Sequence, residues 1–526
     1  MRSRGLTIAA LILILFTSAG AQMPGQASAA TSSHSDQIRI DTKALVTPFP
    51  HFWEQIFGSG RAVLAMRDSY RSDLRTVKQA TGFDAIRFHA IFHDEVGLFN
   101  LDSNGRPVYN FSYINQIYDG LLANGVRPFV ELSFMPLKLA SDPAALHAFW
   151  YRPNISPPKD YVLWDGMITA FVEHLVERYG IDEVSKWYFE VWNEPNLDFW
   201  GGKPAQSTYF ELYDHTALAI KKVNNRLRVG GPSTAQAAWV EAFLEHCRQA
   251  GVPVDFVSTH VYGNDLAKDV FQTDEVIPRD QMVYRAVRKV HEQIAASSLP
   301  DLPLIFSEYN ASYANEPNVT DTVYMGPWLA NTIRQCDGLT EAMSYWAFSD
   351  VFEEQGVVKT PFYGGFGLMA VNNIPKPALN AFAMLHQLGD RRFPVDSDSA
   401  LATRRSDGSI VIALWNYTPP FGTGANYTPP PSDPGPSRTF TLKFNGLTTA
   451  RAQMWRLDAD HGNVVKTYDA MGRPPFPTRE QIATLRTAAK PSSPEVVSLK
   501  NGTLAVRIPP QGLVLIKINN GGHAVR

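Results

Sequence analysis

The sequence contains few cysteines and no excess of charge of either sign. Only Cys247 and Cys336 occur among 526 residues, too few for a secreted scaffold held by disulfides, so the protein must depend on its hydrophobic core. With 48 Lys and Arg against 51 Asp and Glu, the chain is close to neutral, and no basic run stands out. Nucleic acid and anionic membrane surfaces are therefore not expected as partners.

Long hydrophobic runs are absent beyond the N-terminus. There, two arginines precede an apolar run from Leu6 to Phe16, and small residues follow at 19–21 and again at 27–29. The run is too short to span a bilayer comfortably. Residues 1–30 are therefore predicted to include a signal peptide cleaved near residue 21 or 29, which implies a secreted or periplasmic protein without a membrane anchor after cleavage.

From about residue 46 to residue 390, short apolar segments alternate with longer amphipathic ones, the pattern of βα units around a parallel sheet. The helix-like segments include MITAFVEHLVERYG and DQMVYRAVRKVHEQIA. The predicted strands are 52–58, 84–90, 127–134, 187–193, 228–234, 255–262, 302–309 and 341–348. Eight such units predict an α/β fold, the (β/α)8 TIM barrel.

The character of the chain changes after about residue 390. Short strand-like runs such as SIVIALWNY and GLVLIKI are separated by turn residues, and 419–437 is a loop rich in Pro and Gly. Residues 391–526 are therefore predicted to form an antiparallel β-sandwich that supports the barrel. Residues 31–45 contain the alternating stretch SDQIRIDT, which is expected to add an N-terminal strand to this sandwich.

The positions of the two cysteines predict free thiols. Cys247 falls in the helix after the fifth strand and Cys336 in the helix after the seventh. In a barrel these helices are separated by the sixth, whereas a disulfide needs Cα atoms within about 7 Å.

Several predicted strands end in a polar side chain. In WYFEVWNEPNL, a strand of aromatic and β-branched residues stops at Glu194, since Glu is a poor strand former and Pro195 cannot donate to the ladder. Glu308 ends the seventh strand in LIFSEYN. Active sites of TIM barrels lie at the C-terminal strand ends, and two carboxylates at one mouth are the groups that glycoside hydrolysis requires.

Other chemistries fit the sequence less well. His89 and His93 straddle a strand end, where their spacing does not converge on a metal, and neither HExxH nor a Cys cluster occurs. The glycine-rich YGGFGL (363–368) follows no strand of a dinucleotide-binding unit, and no GxSxG elbow is present. No cofactor and no metal are therefore expected.

Six stretches together resemble glycoside hydrolase family 39, the family of β-xylosidases and α-L-iduronidases. They are RFHAIFHDE (87–95), FVELSFMP (129–136), FEVWNEPNL (189–197), FVSTHVY (256–262), FSEYNASY (306–313) and YGGFGLMAVNNIPKPALNAF (363–382). The resemblance covers the whole predicted barrel. It implies that Glu194 is the acid/base and that Glu308 is the nucleophile of a retaining, double-displacement mechanism.

The resemblance also implies a substrate-binding set around these two carboxylates. Asn193 would bind the sugar 2-hydroxyl, Tyr262 would position Glu308, and His260 would contact the sugar or the acid. His260 and Tyr262 are two residues apart and so share a strand face. Further candidates from the strand ends and the loop after the eighth strand are His89, Trp346 as a wall of the sugar site, and either Glu353 or Glu354.

The predicted function is that of an exo-acting β-xylosidase that releases xylose from xylo-oligosaccharides. The alternatives are another retaining glycosidase of the same clan (an arabinosidase, an iduronidase-like enzyme or an endo-acting hydrolase) and a non-catalytic carbohydrate-binding barrel. An iduronidase needs cations for the substrate carboxylate, and the predicted strand ends carry none. Arg87 lies inside its strand and is interpreted as structural. A neutral pentose is therefore favoured.

Overall fold

Eight parallel strands close into a barrel in the computed structural model, which describes residues 35–519. Each strand pairs with the next in sequence, and the eighth pairs with the first. In chain order the strands are Ile56–Arg61, Ala85–His89, Arg127–Leu132, Tyr188–Val191, Arg228–Thr234, Phe256–Tyr262, Leu304–Asn310 and Ala342–Tyr345. The predicted (β/α)8 barrel is confirmed, whereas the predicted signal peptide at residues 1–30 lies outside the described residues.

Helices follow the barrel strands and cover the sheet. Those of the barrel are Asp68–Thr81, Ser112–Leu122, Tyr161–Tyr179, Ile181–Val184, Ala205–Val223, Val240–Ala250, Ala267–Phe271, Arg279–Ala296, Pro317–Thr320, Met325–Cys336 and Pro377–Leu385, with short 3₁₀ turns at Ala62–Met66 and Ala235–Ala237. Across residues 35–519, no helix combines the length and the apolar character needed to cross a bilayer.

The first barrel strand begins later than predicted. The sequence pattern placed it at 52–58, but residues 52–55 form a turn and the strand starts at Ile56. Phe52 and Trp53 are fully buried in that turn, where Trp53 packs against the rings of Phe49 and His51. Their apolar character reflects this packing and not a place in the sheet ladder.

Two sheets stack beside the barrel. One sheet has three strands, Ser35–Asp41, Arg438–Asn445 and Thr503–Ile508, and the first of these pairs in parallel with the second. The other sheet joins, in spatial order, Thr47–Pro48, Arg391–Arg392, Ala400–Arg404, Ile410–Asn416, Gly512–Ile518, Arg451–Leu457 and Glu495–Ser498. Short two-stranded ladders occur at Phe99–Leu101 with Pro107–Tyr109 and at Met369–Ala370 with Ile374–Pro375. Apart from the parallel pair made by Ser35–Asp41, the strands of the three-stranded and seven-stranded sheets are antiparallel, which fits the predicted C-terminal sandwich.

The strand Ile410–Asn416 explains how the sandwich is joined to the barrel. Successive side chains of a strand point to opposite faces, and this strand is buried on both. Ile412 and Leu414 belong to the core between the two sheets, whereas Val411 and Trp415 belong to the core shared with the barrel helices. The seven-stranded sheet therefore has two apolar faces.

Two helices interrupt the region that the sequence pattern assigned to strands and turns alone. They are Val464–Ala470 and Arg479–Ala488. The second begins with a capping box, in which Thr478 and Gln481 bind each other's backbone N–H groups. A Thr-x-x-Gln pattern is a known sequence signal for a helix start.

The prediction of two free thiols is confirmed. Cys247 lies in the helix Val240–Ala250 and Cys336 in Met325–Cys336, and both are buried and unpaired. Each of the two helices packs against Arg279–Ala296, which separates them.

Candidate active site

A cavity of about 410 Å³ opens at the C-terminal ends of the barrel strands. Seven of the nine predicted site residues line it, namely His89, Asn193, Glu194, Tyr262, Glu308, Trp346 and Glu354. The others do not face it: His260 is fully buried behind Glu194, and Glu353 points elsewhere. The wall is completed by residues that the sequence did not single out, namely Phe149, Leu197, Phe199, Ala235, Gln236, Asp265, Tyr313, Gln355 and Phe366.

Glu194 and Glu308 approach each other across this cavity. One carboxylate oxygen of each, together with a ring nitrogen of His260, lies within 4.8 Å of the others. Glu194 sits just beyond the fourth strand with a left-handed φ of 45°, and its backbone N–H donates to Ser233 O at 2.8 Å. A non-glycine residue in this conformation is uncommon and must be held by its surroundings.

Two donors hold Glu308. Arg87 Nη1 donates to Oε1 at 2.7 Å, and the Tyr262 hydroxyl donates to Oε2 at 2.5 Å. Each carboxylate oxygen therefore has one fixed partner. The side chain is 5% exposed, and that small exposed area faces the cavity.

Glu194 has a different environment, in which none of the arginines within residues 35–519 forms an ion pair with it. Its Oε1 lies 2.9 Å from His260 Nδ1. Burial raises the pKa of Glu194 to about 7, although the positive charges of His89 and Arg87 act in the opposite direction. Burial lowers the pKa of His260 to about 4, so that its imidazole is neutral near pH 7. Glu194 can therefore carry a proton under conditions in which an ordinary glutamate does not.

Arg87 lies beneath the cavity and not in a purely structural position. It is fully buried, and its guanidinium contacts Glu190 at 2.6 Å, Glu131 at 2.8 Å, Glu308 at 2.7 Å and Asn193 Oδ1 at 3.0 Å. Burial alone would lower the pKa of this guanidinium, but the three carboxylates raise it above its usual value. The sequence signal for this network was the presence of charged residues inside strands: Arg87 in IRFH, Glu131 in FVEL and Glu190 in YFEV.

His89 connects this network to the loop after the eighth strand. Its Nδ1 lies 2.6 Å from Glu131, and its Nε2 lies 3.5 Å from Glu354 Oε1. Burial alone would lower the pKa of His89, yet the surrounding carboxylates, Glu131 above all, raise it to about 9. His89 is therefore a cation at neutral pH.

Trp346 forms an apolar wall between His89 and the first strand. Its ring centroid lies 4.7 Å from that of His89. Gly58 is another close neighbour, since a Cβ added there would lie 2.1 Å from Trp346 Cε3. Only glycine leaves room for the indole at this place in the first strand.

The structure separates the two adjacent acids of the predicted site. Glu354 lines the cavity, and burial raises its pKa to about 8. Glu353 instead forms ion pairs with Arg61 and Arg67 and lines a neighbouring cavity of about 260 Å³. Of the two, Glu354 is thus the one placed to meet a ligand beside Glu194 and Glu308.

Two groups of described side chains are close enough to be considered as metal ligands, Glu194–His260–Glu308 and His51–Glu54–His386. In the first group, His260 Nδ1 lies 2.9 Å from Glu194 Oε1. In the second, His51 Nδ1 and His386 Nδ1 lie 2.5 and 2.8 Å from Glu54 Oε1. Two ligands of a tetrahedral zinc ion with bonds of about 2.0 Å are separated by more than roughly 3 Å. Both groups therefore have the geometry of hydrogen bonds.

Comparison with known proteins extends over nearly the whole described chain. A β-xylosidase of Geobacillus stearothermophilus is 39% identical over 451 residues, which are 84% of this chain and 86% of that protein. A crystal structure of a monomeric β-xylosidase from Caulobacter crescentus CB15 has a TM-score of 0.83 at 35% identity and covers 93% of this chain and 100% of that one. A structure described as the GH39 enzyme from Xanthomonas axonopodis pv. citri also has a TM-score of 0.83, at 34% identity and with 94% and 100% covered.

The family model described as glycosyl hydrolases family 39 matches residues 36–504. The match includes the barrel, both carboxylates at its mouth and most of the sandwich. This chain therefore belongs to glycosyl hydrolase family 39, a family of retaining glycosidases, and is a glycosidase.

Proposed function

We propose that the protein is an exo-acting β-xylosidase that releases xylose from xylo-oligosaccharides with retention of configuration. The observation that carries this proposal is the approach of a Glu194 oxygen to within 4.8 Å of a Glu308 oxygen across the cavity. In retaining glycosidases the two carboxyl groups are about 5–5.5 Å apart, whereas inverting enzymes need roughly 6.5–9.5 Å to admit a water. The names of the similar proteins support the choice of xylose.

In the first step Glu308 attacks the anomeric carbon while Glu194 gives its proton to the glycosidic oxygen. Arg87 and Tyr262 fix the two Glu308 oxygens and so aim the carboxylate. The raised pKa of Glu194 keeps the acid protonated near neutral pH. The C–O bond to the leaving group breaks, the shortened chain departs, and a covalent glycosyl-enzyme forms on Glu308.

In the second step Glu194, now ionised, accepts a proton from water. The water attacks the anomeric carbon, the bond to Glu308 breaks, and β-xylose leaves with both carboxyl groups restored. Asn193 contributes in both steps. Because its Oδ1 accepts from Arg87, its NH₂ group is the part that it can offer to the sugar 2-hydroxyl.

The cavity favours a neutral sugar over a uronic acid. Among the described residues, no lysine or arginine lines it, and the cationic His89, which does, already contacts the carboxyl groups of Glu131 and Glu354. Arg87 lies just beneath, but four acceptors already occupy its guanidinium. The rings of Trp346, Phe149 and Phe199 supply flat apolar faces for sugar C–H groups. An iduronidase-like activity is therefore the weaker candidate.

Hydrolysis of a panel of 4-nitrophenyl glycosides and short xylo-oligosaccharides tests the proposal. We expect the highest kcat/KM with the β-D-xyloside, release of single xylose units from the non-reducing end, and β-xylose as the first product by ¹H NMR. Preference for an arabinoside or a uronide, cleavage inside xylohexaose, or a first product of α configuration would each reject it.

We also propose that the protein is exported to the periplasm or medium and has no membrane anchor afterwards. The support is the N-terminal pattern of two arginines, an apolar run and small residues. N-terminal sequencing of the protein from the producing cells should find a start near residue 22 or 30. A start at Met1 in the cytoplasmic fraction would contradict export.

A further inference from the structure

The loop after the eighth barrel strand turns sharply at Glu353. This residue has a φ of 63°, in the left-handed region that residues other than glycine rarely adopt. Such a conformation is energetically unfavourable and persists where the surroundings hold it. Both acids of this turn line the cavity of about 260 Å³, but of the two only Glu354 also reaches the cavity that contains Glu194 and Glu308.

Two arginines hold Glu353 in place. Its Oε2 lies 3.0 Å from Arg67 Nη2 and 3.3 Å from Arg61 Nη1, and Arg67 Nη1 donates to Oε1. Glu353 is 7% exposed and Arg61 only 5%, so solvent screens this contact little. Arg61 ends the first barrel strand and Arg67 directly precedes the helix Asp68–Thr81. The loop is therefore tied to the rigid frame of the barrel.

Among the described residues, the carboxyl group of Glu354 has no arginine anchor comparable to that of Glu353. Its Oε1 is buried without a hydrogen-bond partner and lies 3.5 Å from His89 Nε2. Its backbone O accepts from Trp150 N at 2.7 Å, which fixes the main chain but not the direction of the side chain. A buried carboxyl oxygen that has an ion-pair contact with His89 but no hydrogen bond, beside the proposed sugar site, is a group that a substrate hydroxyl can satisfy.

We infer that Glu353 is a positioning residue: its ion pairs with Arg61 and Arg67 hold the loop in the turn that presents Glu354 to the sugar. The inference rests on the proposed glycosidase function of the same site. Glu353 itself does not touch the substrate, and its effect passes through Glu354. Loss of the ion pairs would therefore weaken sugar binding without altering the reacting carboxylates.

Glu353→Gln removes the charge and nearly preserves the shape of the side chain. We expect KM for 4-nitrophenyl β-xyloside and the inhibition constant of xylose to rise on the order of tenfold, as for loss of one buried hydrogen bond, with kcat changed much less. Glu95→Gln is the matched control. Glu95 pairs with the same Arg61, at 2.7 Å, but lies outside the loop, so this variant should keep the wild-type KM.

The double variant Glu353→Gln/Glu354→Gln distinguishes positioning from general damage. If Glu353 acts through Glu354, the double variant should have the same KM as Glu354→Gln alone. Once the Glu354 carboxylate is replaced, a shift of the loop can no longer misplace it. The inference would be overturned if the two substitutions together raised KM by the product of their separate effects. It would also be overturned if Glu353→Gln had the KM of the wild type. If Glu353→Gln does not fold, Arg67→Met, at a half-exposed position, should raise KM in the same direction, and an unchanged KM there would overturn it as well.

The activity of the wild-type enzyme distinguishes failure of the proposed function from failure of the inference about Glu353. A wild-type protein without activity on any glycoside of the panel would reject the proposed function. If the wild type is active and the effects of Glu353→Gln and Glu354→Gln on KM multiply, only the positioning role of Glu353 would be rejected.

Discussion

The phenol oxygen of Tyr262 lies 2.5 Å from Oε2 of Glu308, and both groups are buried at the mouth of the barrel. Tyr262 ends the strand Phe256–Tyr262, and Glu308 lies two residues before the end of the neighbouring strand Leu304–Asn310, so the pairing of these strands sets their separation. Together with Arg87 on the other oxygen, this contact leaves Glu308 little rotational freedom. A nucleophile held in this way is prepared for attack in one direction.

Removal of this hydroxyl should therefore impair the chemical step. Tyr262→Phe leaves a buried carboxylate oxygen without its donor, and we expect kcat to fall by about 10- to 100-fold with a smaller change in KM. Tyr118→Phe is the control, since Tyr118 is a buried tyrosine whose hydroxyl has no hydrogen-bond partner among the described residues. Steady-state kinetics of both variants decide the matter, and equal kcat values for the two would contradict the role given to Tyr262.

The pH dependence of kcat/KM should report the pKa of Glu194, the proposed general acid. The proton on Glu194 is required for the first step, and its pKa lies at about 7 because burial disfavours the carboxylate. Activity on a substrate with a poor leaving group should therefore be lost as the pH rises through about 7. Substrates with a dinitrophenol leaving group need no protonation and should lose much less activity on this alkaline limb.

Another carboxyl group of the cavity, with a pKa close to that of Glu194, makes a control necessary. Burial also raises the pKa of Asp265 to about 7. Asp265→Asn should keep the alkaline limb, because this residue has no part in the proposed proton transfer. Loss of the limb in this variant, with Glu194 intact, would assign the titration to Asp265.

Gly58→Ala should distort the proposed sugar site by displacing Trp346. The added Cβ would lie 2.1 Å from Trp346 Cε3, so the indole or the first strand has to move. We expect the free energy of unfolding to fall by about 1–3 kcal/mol, as is usual for an overpacked core, and KM to rise because the wall of the cavity shifts. Denaturant unfolding and kinetics measure the two effects, and a variant with the stability and the KM of the wild type would contradict this packing.

The barrel and the pair of catalytic candidates could be predicted because both depend on local patterns. Eight apolar segments separated by amphipathic ones define the strands, and a polar residue at a strand end marks the mouth of the barrel. The interpretation of Arg87 as structural did not include its contact with Glu308, because its position inside a strand gives no information about what lies above it. Only the register of neighbouring strands brings Glu131 and Glu190 level with each other and both into contact with Arg87.

The roles of Glu353 and Glu354 could not be separated from the sequence for a related reason. They are adjacent in one loop, and the direction of each side chain depends on a left-handed φ and on two arginines about 290 residues earlier in the chain. The start of the first strand was misplaced because Phe52 and Trp53 are as apolar as strand residues but are buried in a turn. Tertiary packing, and not propensity, decides such positions.

The most direct test of the central claim is the configuration of the azide product formed by Glu194→Ala. With a dinitrophenyl β-xyloside the glycosyl-enzyme on Glu308 should still form, but hydrolysis is slow because no base activates water. Azide needs no base, so it should restore turnover and give the β-xylosyl azide, identified by ¹H NMR. An α-xylosyl azide from this variant, or unaltered hydrolysis without any azide product, would contradict the assignment of Glu194 as acid/base and Glu308 as nucleophile.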